Sequence, residues 1–104
     1  MIRVRTAKER GVYKGFTIEG HAGYAQAGED IVCAAVSALV INAINSIETF
    51  TEDAFLCDCQ DGMIRGWEFT GEVSEETALL MDSLMLGLSG IQKSYGKQYL
   101  EIDG

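Results

Sequence analysis

Apolar and polar residues alternate along the chain in patterns that predict five strands and two helices. The segment IRVRTAK alternates apolar and basic residues, which predicts a half-buried strand, and YKGFTIEGH predicts a second strand after an ERGV turn. The segments AFLCDCQ and MIRGWEF flank a DG pair, which favours a tight hairpin. KQYLEID predicts a last strand with Leu100 and Ile102 facing inward.

Two long helices separate these strands. Asp30 is a favourable N-cap for a helix from about Ile31 to Phe50, and Ser74 caps a second helix that ends near Gly96. The first helix is apolar around most of its circumference, so we expect the sheet to cover one side and the second helix or another subunit to cover another. The order ββαββαβ predicts an α+β fold, in which a mainly antiparallel sheet carries both helices on one face.

Length and composition indicate one globular domain spanning residues 1–104. Apolar residues make up 47% of the chain and charged residues 23%. The first fifteen residues lack the apolar core of a signal peptide, and the longest apolar run, IVCAAVSALVI, is too short to span a bilayer. We therefore expect a cytoplasmic protein that is not associated with a membrane.

Charge is distributed unevenly around a net value of −8. Five of the eight basic residues lie in the first fourteen positions, whereas residues 15–104 hold 3 basic against 15 acidic side chains, a net charge of −12. Such a body repels nucleic acid and attracts a basic protein or peptide. Ordinary solubility would also account for the charge.

Three cysteines, an odd number, predict reduced thiols rather than a disulfide framework. Cys57 and Cys59 would share one face of a strand, and we interpret them as small residues packed in the sheet. Because the chain has a single histidine and no second cysteine pair, we expect no metal site, and no glycine motif for a cofactor is present.

His21 and Cys33 are candidates for a catalytic pair. Cys33 would lie in the first helical turn, where unpaired N–H groups and the helix dipole favour the thiolate, which is the nucleophilic form of the side chain. The same N–H groups could hold an oxyanion. The dipole is too weak to act alone, so a nearby imidazolium would be needed. The alternative is an inert buried thiol and a histidine in a turn.

Polar residues near this pair have more than one explanation. Asp30 could orient the imidazole, although its capping role already explains it, and Glu19 is a weaker candidate for the same task. Ser37 lies one helical turn after the cysteine and on the same face. It either supports the site or bonds to a carbonyl of its own helix.

Residues 22–29, AGYAQAGE, predict a loop between the two candidate residues. Glycines at both ends suit a loop that opens for a peptide and closes over it. Tyr24 either contacts a substrate or shields the site. The candidate substrate-binding residues of this loop are Ala22, Gly23, Tyr24 and Gly28.

The segment GHA, followed by GEDIVCAAVSAL, resembles the bacterial ribosomal-processing cysteine protease family Prp, whose pattern is GHA, then G-x-D-I-V-C-A with a serine four residues after the cysteine. The matching positions are Gly20, His21, Ala22, Gly28, Asp30, Ile31, Val32, Cys33, Ala34 and Ser37. The resemblance extends over essentially the whole chain, since element order and length also fit.

This resemblance implies a function and an assembly. It implies that Cys33 is the nucleophile, that His21 is the general base and that the loop between them gates the site of a homodimer. Family members remove an N-terminal extension from a highly basic protein of the large ribosomal subunit, ribosomal protein twenty-seven, in agreement with the acidic body. Two alternatives stay open: a ribosome-associated binding module without catalysis, and another acyl-transfer enzyme with the same pair, such as a thioesterase.

Overall fold

The computed structural model describes residues 1–26 and 28–103. The predicted loop 22–29 includes one residue outside these ranges, and the predicted domain 1–104 includes two. The elements follow the order ββαββαβ, with bounds β1 Ile2–Glu9, β2 Val12–Glu19, α1 Ile31–Phe50, β3 Phe55–Gln60, β4 Met63–Phe69, α2 Glu75–Tyr95 and β5 Leu100–Asp103.

The five strands form one sheet in the order β3-β4-β2-β1-β5. All neighbours are antiparallel except β1 and β5, which are parallel, so the predicted α+β fold with a mainly antiparallel sheet is confirmed. The predicted hairpin turns at Asp61 and Gly62. The last strand is shorter than predicted and begins at Leu100, because the N–H of Tyr99 donates to the carbonyl oxygen of Gly96 and closes a turn there.

A single apolar cluster joins the sheet to the two helices. The rings of Phe16 and Trp67, on neighbouring strands, are stacked with centroids 4.5 Å apart. The largest fully buried apolar side chains come from both helices and from strands β1, β2 and β5: Val4, Phe16, Val32, Val36, Ile47, Met81, Leu88 and Leu100.

The helices begin at the residues that the sequence predicted and pack closely on each other. Asp30 and Ser74 cap them through side-chain oxygens that accept backbone N–H groups. A Cβ atom added at Gly87 of α2 would lie 2.8 Å from a methyl group of Leu39 on α1, so the glycine permits close contact there. Asp53, before β3, joins the two helix ends by accepting hydrogen bonds from the N–H and the hydroxyl of Ser74, both 2.8 Å long.

Helix α1 is more apolar than the helix of a small soluble domain needs to be. Although its longest apolar run is only eleven residues, the helix contains an 18-residue window with a mean hydropathy of 1.8 and could cross a membrane by length and composition alone. Core helices of soluble proteins pass the same test, so this is weak evidence for a membrane span. Six of its side chains are buried in the core, while Ile31, Ile41 and Phe50 are exposed.

Candidate active site

His21 and Cys33 lie where the end of β2 approaches the start of α1. Gly20 follows β2 directly and has a φ of +89°, and a Cβ atom there would collide with the backbone carbonyl oxygen of Met1. Only glycine fits this close, left-handed position comfortably. The bend carries His21 away from the strand and toward Cys33, the third residue of α1.

One cleft of about 230 Å³ contains both candidate residues. Cys33 is half-buried and His21 is exposed. The cleft runs along one stripe of α1 and is closed by the ends of β1 and β2 and by the β3–β4 hairpin. Its lining includes Ile2, Ile18, Glu19, His21, Cys33, Val36, Ser37, Val40, Ile64 and Arg65. His21 and Cys33 therefore border the same cleft.

The sulfur of Cys33 accepts a hydrogen bond from the backbone. The N–H of Ala22 donates to Cys33 Sγ at 3.3 Å. Because His21 precedes Ala22 in the chain, this bond brings the backbone next to His21 close to the sulfur. An N–H group aimed at sulfur stabilises negative charge on it. The sequence did not predict that the Ala22 N–H is a donor to the sulfur, although Ala22 directly follows the candidate histidine.

Asp30 connects the helix start to the preceding loop through one carboxylate. Its Oδ1 accepts the N–H groups of Val32 and Cys33, each at 3.0 Å, and its Oδ2 accepts those of Tyr24 at 3.0 Å and Ala25 at 3.4 Å. The Cys33 N–H is the main reason that the pKa of Asp30 lies below its usual range. Burial opposes this, and the two loop N–H groups and the Cys33 side chain support it.

This arrangement corrects two expectations about the helix terminus. The amides of Val32 and Cys33, which were expected to face an oxyanion, are already bonded to Asp30. The same carboxylate places negative charge at the first turn, where it offsets part of the dipole that would favour a thiolate. The contacts of Asp30 are to backbone N–H groups of the loop and the helix, so it braces these segments.

A model of the cysteine protease Prp family matches residues 1–100 of the chain. The chain belongs to this family. The ribosomal processing cysteine protease Prp of Bacillus subtilis is 30% identical to it over 97 residues, which cover 88% of this chain and 86% of the relative. The Prp of Staphylococcus aureus strain Mu50 is 25% identical over 96 residues, covering 88% of each chain.

Solved structures share the Prp fold along the whole chain. An essential ribosomal processing protease Prp from S. aureus, in complex with a covalently linked product peptide, superposes with a TM-score of 0.91 at 24% identity. The match covers 99% of this chain and 98% of that one. SMU.848 from Streptococcus mutans gives 0.78 at 26% identity, covering 99% and 92%. With the family match, the chain is a cysteine protease of the ribosomal-processing type.

The cleft is lined by some residues that the sequence predicted and by others that it did not. Ser37 and Glu19 line it and are exposed, so both are within reach of a bound peptide. Ile64 and Arg65 of the β3–β4 hairpin also line it, and sequence reasoning missed them. Their presence depends on the pairing of β4 with β2, which no local pattern encodes.

The described residues of the loop are exposed apart from Ala22. Ala22 is 3% exposed, whereas Gly23 and Gly28 are open to solvent. Tyr24 lies outside the cleft lining, and its ring packs instead against the end of α2. Whether Tyr24 contacts a substrate or shields the site stays a prediction.

The two remaining thiols were wrongly predicted to be packed. Cys57 and Cys59 are both exposed. They lie on β3, an edge strand of the sheet with β4 as its neighbour, so little covers their side chains. Across residues 1–26 and 28–103, no three His, Cys, Asp or Glu side chains are grouped to hold a metal ion.

Proposed function

We propose that Cys33 is the nucleophile and His21 the general acid–base of a peptidase domain formed by residues 1–104. The substrate is the N-terminal extension of a basic protein of the large ribosomal subunit, ribosomal protein twenty-seven in this family, and its removal supports ribosome assembly in the cytoplasm. One observation carries the proposal: both side chains line one cleft, and an amide next to the histidine donates to the sulfur at 3.3 Å.

Proton transfer between the two residues gives the reaction its order. His21 takes the thiol proton, and Cys33 Sγ attacks the scissile carbonyl to form a C–S bond and an oxyanion. The imidazolium then protonates the leaving amine as the C–N bond breaks, which leaves a thioester. Water attacks the thioester while His21 accepts its proton, and the C–S bond breaks to release the carboxyl product.

The oxyanion needs a donor that the helix amides do not supply, because Asp30 occupies them. The N–H of Ala22 already points at the sulfur and can turn to the oxyanion that forms beside it. The hydroxyl of Ser37, one turn along α1 and facing the cleft, is a second supporting group.

The cleft suits an extended peptide with apolar and basic parts. Val36, Val40 and Ile64 offer an apolar wall next to the sulfur. Glu19 lies at the same rim, and the acidic body beyond it attracts a basic substrate and raises its encounter rate.

Mass spectrometry of a peptide spanning the extension junction tests the assignment. We expect Cys33→Ala to abolish cleavage and His21→Ala to reduce it strongly, because each loses a group that makes or breaks a bond. Cys57→Ala and Cys59→Ala are matched controls that remove exposed thiols outside the cleft and should cleave normally. Normal turnover by Cys33→Ala would exclude the proposed nucleophile.

We also propose that the active form is a homodimer. Large apolar side chains remain exposed on both helices, among them Ile31 and Ile41 of α1 and Leu79 and Leu86 of α2. Leu86→Glu should shift the protein from dimer to monomer in light scattering after size exclusion, because it places a charge in the apolar interface. Leu56→Glu, a similarly exposed position on the sheet edge, should leave the mass unchanged, and a monomeric parent protein would contradict the proposal.

A further inference from the structure

Three aromatic rings meet outside the cleft and form what we call the tyrosine cluster: Tyr24, Tyr95 and Tyr99. The ring of Tyr24 lies edge-on to Tyr95, with centroids 5.4 Å apart at 85°, and to Tyr99, with centroids 5.1 Å apart at 75°. Both contacts have the T-shaped geometry that aromatic pairs prefer. Tyr95 ends α2 and Tyr99 precedes β5, so the cluster joins the loop to a segment seventy residues later in the sequence.

The loop has few other attachments. Beyond Ala22, the described residues of the loop, 23–26 and 28–29, are exposed. The carboxylate of Asp30 holds the N–H groups of Tyr24 and Ala25, and the Tyr24 ring is held by the cluster. The described part of the loop is therefore held through Ala22, through the carboxylate of Asp30 and through the tyrosine cluster, and the cluster involves residues far from Cys33 in the sequence.

The position of the loop sets the position of the donor to the sulfur. Ala22, two residues before Tyr24, donates to Cys33 Sγ. A shift of the loop would turn this N–H away and move the adjacent His21. Misplacing reactive groups by about 1 Å can cost about 100-fold in rate.

We propose that Tyr95 and Tyr99 are positioning residues of the protease: by docking the ring of Tyr24, they hold the Ala22 N–H on the sulfur of Cys33 and His21 beside it. The inference rests on the proposed roles of Cys33 and His21. None of the three tyrosines lines the cleft, so the cluster acts on the reacting groups rather than on peptide binding.

Leucine and phenylalanine variants separate the ring from the hydroxyl. Tyr95→Leu and Tyr99→Leu should lower kcat by about 10- to 100-fold, with KM little changed, because the groups that react are displaced while the cleft is intact. Tyr95→Phe and Tyr99→Phe should restore kcat, since the edge-on contacts need only the ring. Lys93→Ala, an exposed change in the same last turn of α2, is the control and should behave as wild type.

Hydrogen exchange measures the loop without using activity. In the leucine variants, the amides of Ala22, Tyr24 and Ala25 should lose protection, while those in the middle of α1 keep it. Protection that persists in the leucine variants overturns the proposal, as does lost protection with an unchanged kcat. A KM effect without a kcat effect also overturns it.

These experiments test the proposed nucleophile and the proposed role of the tyrosine cluster separately. If Cys33→Ala still cleaves, the proposed nucleophile is wrong, while the exchange data still report whether the cluster holds the loop. If a leucine variant at α2 fails to fold, Tyr24→Leu on the exposed loop provides the same comparison. Normal amide protection and normal kcat in Tyr24→Leu would refute the cluster's role.

Discussion

Replacing Gly20 by alanine should destabilise the protein and displace His21. The residue has a φ of +89°, and an added Cβ would meet the backbone carbonyl oxygen of Met1. A left-handed conformation costs an L-residue about 1–2 kcal/mol, and the backbone at Met1, just before β1, must also move to relieve the contact. We expect a loss of about 3 kcal/mol in the free energy of unfolding, toward the upper end for single substitutions.

Gly28→Ala is the matched control for this substitution. Its φ of +87° is almost the same, but an added Cβ would meet no atom of the described residues beyond its chain neighbours within 4 Å. Gly28→Ala should lower the free energy of unfolding only by the cost of the left-handed conformation, about 1–2 kcal/mol. Thermal unfolding followed by circular dichroism resolves the difference, because each kcal/mol shifts Tm by about 4–8 °C in a domain of this size. Equal Tm values for the two variants would refute the argument that a close backbone contact shapes the site.

Three further predictions concern charge. Burial alone would raise the pKa of Asp53, but hydrogen bonds at the start of α2 lower it below the ordinary value of an aspartate. The contribution of Asp53 to stability is therefore present above about pH 4 and lost at lower pH. Asp53→Asn should flatten the acid limb of the stability curve, and an unchanged limb would contradict this. Burial and the hydrogen bond to Asp82 raise the pKa of Tyr13 to about 12. The contribution of Tyr13 to stability is therefore present below pH 10 and lost as pH rises toward 12. Tyr13→Phe should remove that loss, and a stability curve that still falls in this range would contradict it. Glu19→Lys should lower kcat/KM for a basic peptide, more at low salt than at high salt, and a salt-independent effect would argue against electrostatic attraction.

Local signals in the sequence were sufficient for much of this fold. The start of α1 follows from Asp30, whose carboxylate satisfies the first amides of an apolar helix. The DG pair fixed the second hairpin, because Asp61 and Gly62 tolerate the positive φ angles that a tight turn requires. The motif around His21 and Cys33 also identified the family, since it concentrates many specific positions in a short segment.

Features that depend on distant pairing were not predictable. Arg65 lies on the cleft because β4 pairs with β2, and the edge position of β3 leaves Cys57 and Cys59 exposed. The sequence pattern specifies which face a strand buries, but it does not specify its neighbours or what covers it. The bond from Ala22 to the sulfur depends on the path of an irregular loop, for which periodicity carries no information.

The parallel contact between β1 and β5 has a consequence for how the chain reaches its native state. It pairs Ile2–Arg5 with Leu100–Asp103, almost the full described length apart, whereas the β1–β2 and β3–β4 hairpins join neighbouring segments. Loop closure costs more conformational entropy when the intervening segment is longer, and pairing of strands that are remote in sequence slows folding. We expect the pairing of β5 with β1 to form late in folding. Until it forms, one edge of β1 is available to pair with strands of other chains.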